Sequence, residues 1–85
     1  VLYFTLGNQY ARQGRWAEAQ LAFSKAHAAD AGNPDFAFNL AVSFDHLRQP
    51  AAALEHYRRA LELAETRAAH FALEPARQRV EQLSR

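Results

Sequence analysis

Displaced by 34 residues, the chain matches itself. Phe4 falls on Phe38, Leu6 on Leu40, Gly7 on Ala41, Tyr10 on Phe44, Ala19 on Ala53, Phe23 on Tyr57, Lys25 on Arg59 and Ala26 on Ala60. The matches share one gapless register. A period of this size marks an array of stacked units, none of which buries its apolar face alone. Within each unit the apolar positions recur at helical spacing. Tyr3, Leu6, Gly7 and Tyr10 form one stripe, Gly14-Arg15 interrupts it, and Trp16, Ala19, Phe23 and Ala26 form another. In the second unit Leu40, Ala41, Phe44 and Leu47 precede Pro50, and Ala53, Tyr57, Ala60 and Leu61 follow it. Each unit therefore reads as two helices. Gly32 suits a helix end, Asn33 an N-cap, and Pro34 and Pro50 first helical positions, where the missing N–H costs little.

The small residues within these stripes imply close crossings. Gly inside a helix costs about 1 kcal/mol relative to Ala, so Gly7 needs a reason. It is expected where two helices cross, with Tyr10 and Phe23 filling the space around it. After the second unit, Phe71, Leu73, Ala76, Val80 and Leu83 recur near helical spacing among polar residues. They predict a last amphipathic helix from Glu74 or Pro75 to Ser84, with 65–73 partly loop. Composition agrees with an all-helical chain: Ala is abundant, Ile is absent, and Val and Thr are scarce. The expectation is five helices, with units at 1–33 and 34–67 and a capping helix within 68–85.

The sequence resembles the tetratricopeptide repeat family. The residues that carry the resemblance are Tyr3, Leu6-Gly7, Tyr10, Ala19, Phe23 and Ala26, then Leu40-Ala41, Phe44, Ala53, Tyr57 and Ala60, followed by "LEL". Ala31 and Glu65 replace the closing Pro, Ala37 takes the aromatic slot, and Arg48 stands where the first unit has Gly14. These departures loosen the expected turn geometry. The resemblance implies a right-handed α-solenoid of antiparallel helix pairs. It also implies a concave inner face, formed by the first helix of each pair, that binds a peptide or protein segment. Carried over by register, the groove residues are Phe4, Asn8, Ala11 and Arg12, then Phe38, Asn39, Val42, Asp45 and His46, with Ala72, Ala76 and Arg79 from the tail. Phe4 and Phe38 either line the groove or pack between helices. Asn8 and Asn39 match the asparagines with which some family members clamp a C-terminal carboxylate. The clamp's basic positions hold Phe4, Ala69 and Leu73, so a mixed apolar and polar ligand is expected instead.

The residues give no sign of catalysis. "GNQYARQG" lacks the Gly-Lys-Ser/Thr of a phosphate loop, there is no His-Glu-x-x-His, and Ser24, Ser43 and Ser84 lack a nucleophile-elbow context. Without Cys there is no thiolate chemistry. His46 and His56 lie on adjacent predicted helices and are close enough to meet, yet no histidine spacing matches a metal motif. Neither a cofactor nor a metal is expected. Ten basic and nine acidic residues leave a net charge of +1, which argues against nucleic acid and membrane surfaces as partners. No apolar run approaches the roughly 20 residues of a membrane span.

The leading expectation is thus a non-enzymatic interaction module, a scaffold or adaptor in a larger assembly. Nine Arg to one Lys, with the abundant Ala, hints at a GC-rich bacterial genome. Two alternatives accompany this reading: self-association through the apolar edge Val1, Leu2, Tyr3 and Phe4, and RNA binding by a pentatricopeptide-like array, which the Leu-Gly, Ala-x3-Phe and "ALEL" features disfavour. Val1 to Phe4 also suggest that the chain is a piece of a longer array, because two units and a cap fall short of the three repeats such arrays generally need. The compartment, cytoplasmic or periplasmic, stays open.

Overall fold

The computed structural model describes residues 2–85. Its elements are α1 (Tyr3–Arg12), α2 (Trp16–Ala29), α3 (Pro34–His46), α4 (Pro50–Leu63) and α5 (Leu73–Leu83), and no strand occurs among the described residues. Each helix packs on the next, so the architecture is an α-solenoid of helix pairs.

The core follows the repeat stripes. Phe23, 1% exposed, sits with Ala19 and Leu40 among Phe4, Tyr10, Ala11, Trp16 and Phe44. One repeat later, Ala41, Ala53 and Tyr57 form the equivalent cluster, with Val80 and Leu83 of α5 packed on it. Gly7 owes its identity to Phe23: a Cβ there would lie 2.6 Å from two carbons of the ring. Asn33 caps α3, its side-chain oxygen accepting from the N–H groups of Asp35 (2.9 Å) and Phe36 (3.3 Å).

The two turns that close the helix pairs are the same turn. Gly14 N–H donates to Ala11 O and Arg15 N–H to Tyr10 O; 34 residues on, Arg48 N–H donates to Asp45 O and Gln49 N–H to Phe44 O. Gly14 has φ +73° and Arg48 φ +59°. The change from Gly to Arg therefore leaves the turn geometry intact, contrary to expectation, and Arg48 carries the strain of a left-handed backbone. Gly32 does not take a positive φ; Asp30 ends α2, and Gly32 instead leaves room for the Arg67 guanidinium, 3.3 Å from where its Cβ would be. On α4 Leu63 is buried, while Leu61 is half-buried.

Residues 64–72 link α4 to α5 without forming a helix. Three acidic residues about one repeat upstream hold the linker and α5 in place. Asp30 accepts two hydrogen bonds from Arg67 (2.9 and 3.1 Å). Asp35 binds the His70 backbone N–H and ring Nδ1, both at 2.7 Å. Asp45 accepts from Arg79 Nε (2.7 Å) and Nη2 (2.6 Å) and from the Tyr57 hydroxyl (3.0 Å).

Candidate functional site

The first helices of the two pairs, α1 and α3, supply the residues that the register assigns to an inner face. Asn33 and Pro34 fix where α3 begins, and so where its first turn stands relative to α1. Phe4 of α1 then lies 4.9 Å, centroid to centroid, from Phe36 of α3. Phe38, two residues on, stacks parallel on Phe71 of the linker at 4.3 Å. Between these rings opens a cavity of about 510 Å³, lined also by Asn33, Asp35, Asn39 and His70. Its size falls within the range of small-ligand pockets, about 300–1,000 Å³.

Phe4, Phe38 and Asn39 thus border one cavity. Both rings also reach the core: Phe4 is 6.0 Å from Phe23, and Phe38 is 5.7 Å from Tyr57. Asn39 donates from its amide nitrogen to Asp35 O at 2.8 Å, which leaves its carbonyl oxygen as an acceptor. Asn8, half-buried, and Arg12, exposed, lie further along α1, and Ala11 belongs to the Phe23 cluster. Val42 packs on the Ala41–Tyr57 cluster.

The other end of α3 is occupied by contacts within the chain. The Arg79 guanidinium, and then the Tyr57 hydroxyl, hold the Asp45 carboxyl below its ordinary value against the opposing effect of burial. Burial, and then the hydrogen bond to Asp45, push the Tyr57 phenol above its own. His46 stacks on Trp16 at 3.8 Å, with the rings 4° from parallel. From the tail, Ala76 is buried and Ala72 exposed. His46 does not meet His56. His56 lies against Phe44 (5.1 Å) and edge-on to His27 (6.1 Å), since successive second helices bring His27 of α2 and His56 of α4 together. The His27 Nδ1 is buried without a hydrogen-bond partner, and desolvation, then the charges of His56 and Arg59, lower its pKa.

Sequence reasoning missed Phe36, Asp35, His70 and Phe71. Phe36 occupies the register position of Leu2, so a signal existed. His70 and Phe71 fall in the register on Phe36 and Ala37, but the linker does not repeat the helix that holds those two, so the register gave no sign of their contacts.

A second apolar surface lies at the N-terminal edge. Leu2 is 77% exposed, and with Tyr3, Phe4, Thr5, Ala26, Ala29 and Phe36 it borders a cavity of about 360 Å³. Val1, part of the edge named from sequence, lies outside the described residues.

Helix pairs stacked in a 34-residue register define a helical-repeat protein. A family model described as "Tetratricopeptide repeat" matches residues 1–33 and 34–67, and the chain belongs to that family. Repeats of this family are non-enzymatic and generally mediate protein–protein interaction. No curated protein matches the chain. No described helix is long and apolar enough to cross a membrane, and no group of three or more potential metal ligands occurs among the described residues.

Proposed function

We propose that the inner face holds a segment of another protein, extended or helical, and that the chain serves as a scaffold or adaptor within a larger assembly. The observation that carries this reading is the aromatic cavity shared by the two repeats, to which α1 gives Phe4 and α3 gives Phe36, Phe38 and Asn39. Asn8, Arg12 and Val42 extend the surface along the helices, and Asp45 and His46 bound it where Arg79 pairs with Asp45 and Trp16 stacks on the exposed His46. Protein groups of this kind suit a mixed ligand: rings for apolar side chains, and amides for a backbone or polar side chain.

The test is capture of partners on the immobilised domain, comparing the parent with Asn8→Ala/Asn39→Ala after matching thermal melts. A partner held by the parent and lost by the variant supports the inner face. Equal capture by both contradicts it. The exposed Leu2 and the cavity beside it favour a second reading, self-association through Leu2, Tyr3 and Phe4. Sedimentation of the parent and of Leu2→Lys distinguishes the two.

A further inference from the structure

The inner-face cavity is lined by aromatic rings, a carboxylate and two amides, with one imidazole, His70, held on that carboxylate. Four phenyl rings form its walls, Phe4, Phe36, Phe38 and Phe71, and a ring face carries partial negative charge. Asp35 adds a carboxylate, and Asn39 adds a carbonyl oxygen whose own amide nitrogen is engaged with Asp35 O. No Lys or Arg lines the cavity. Arg67, the guanidinium tied into the neighbouring turn, is committed to Asp30 through two hydrogen bonds.

We infer that this cavity takes a basic side chain, lysine or arginine, from the segment held in the groove. The inference rests on the inner-face reading and adds the chemistry of the ligand. A cation on an apolar stem satisfies every wall: the methylenes lie against the phenyl rings, and the charged head reaches the ring faces and the carboxylate. Asp35 has the capacity. An ionised carboxylate offers about four acceptor positions, and the His70 backbone and ring nitrogens use two. The linker already places an N–H-bearing residue on Asp35 and an aromatic ring on Phe38. A carboxylate-bearing ligand meets the reverse: Asp35 and the ring faces repel it, no Lys or Arg lines the site to compensate, and the His70 ring is already held on Asp35.

The probes are two acetylated, amidated tripeptides, Ala-Arg-Ala and Ala-citrulline-Ala, which differ in charge and hardly in shape. They are titrated into the ¹⁵N-labelled domain while backbone amide shifts are followed. The expected result is saturable shifts at Phe36, Asn39 and Phe71 with the arginine peptide, with binding at least tenfold weaker for citrulline. Asp35→Asn, which keeps an acceptor oxygen for the His70 N–H, is expected to erase that difference while leaving the unliganded spectrum folded. Equal binding of the two peptides, no saturable shift with arginine, or an unchanged preference in Asp35→Asn overturns the inference. Where one of these is found while Asn8→Ala/Asn39→Ala still loses its partner, the cation chemistry fails and the inner-face reading stands. Equal capture by parent and Asn8→Ala/Asn39→Ala overturns both.

Discussion

Gly7→Ala is the perturbation in which helix propensity and packing most clearly oppose each other. Alanine is favoured over glycine in a helix interior by about 1 kcal/mol, so propensity alone predicts a more stable domain. The structure predicts the reverse. The new Cβ would stand 2.6 Å from Cδ1 and Cε1 of Phe23 and 2.9 Å from Cζ, well inside van der Waals contact. The ring has little room to retreat, being 1% exposed and enclosed by Ala19, Leu40 and Phe4. Overpacking of a filled core costs about 1–3 kcal/mol, and three close contacts with one enclosed ring argue for the upper end. Subtracting the propensity gain leaves a net loss of about 2 kcal/mol. For a domain of this size, that lowers the melting temperature by roughly 8–16 °C. Thermal unfolding by circular dichroism measures it. The cause is isolated by repeating the substitution in Phe23→Leu, where the ring is gone. There Gly7→Ala is expected to be neutral or stabilising by up to about 1 kcal/mol. A melting temperature that rises in Gly7→Ala, or a loss of the same size in the Phe23→Leu background, refutes the reasoning.

Arg48→Gly relieves a left-handed backbone that costs a non-glycine residue about 1–2 kcal/mol. Against the entropy of an added glycine, the expected gain is about 0.5–1 kcal/mol, read as a higher urea midpoint at unchanged slope. Asp45 has its carboxyl held below the ordinary value by Arg79. The stability this contributes is complete above the unfolded value near 3.8 and is lost as pH falls through the lower folded value. Asp45→Asn is therefore expected to flatten the acid limb of a stability–pH curve and to speed amide exchange in α5. His27 is shifted down by burial, so the unfolded chain binds the proton more readily. Stability is expected to decline as pH falls below the ordinary value of 6.5 until the lower folded value is reached, and in His27→Leu that decline is expected to vanish.

How much was legible follows from what repeats. The 34-residue register carries the helix pairs, because the small–large alternation of Gly7 with Phe23 and of Ala41 with Tyr57 is a packing requirement that each unit must meet anew. The last helix was legible from Ala76, Val80 and Leu83: Ala76 is buried, and α5 packs Val80 and Leu83 on the second repeat. The turn at Arg48 was harder to read: the residue type argued against a left-handed conformation, and the constraint of the flanking helices prevailed over local preference. The three acid–base ties were not read, although Asp45 and Arg79 occupy the same position in successive register copies and could have been paired. His70 and Phe71 were beyond reach, since their partners are set by the path of a linker that no repeat copies. Phe4 and Phe38 were visible as a pair one repeat apart, but the cavity between them depends on Phe36 and on that linker.

The central claim is that the inner face, and not another surface, meets the partner. A photo-crosslinking benzoylphenylalanine at Asn8, on the proposed inner face of α1, compared with one at Glu55, on the exposed side of α4, tests it in cells of the source organism. The account predicts a discrete adduct with another protein from Asn8 and none from Glu55. An adduct from Glu55 alone, or with a second copy of the chain in place of another protein, would contradict it.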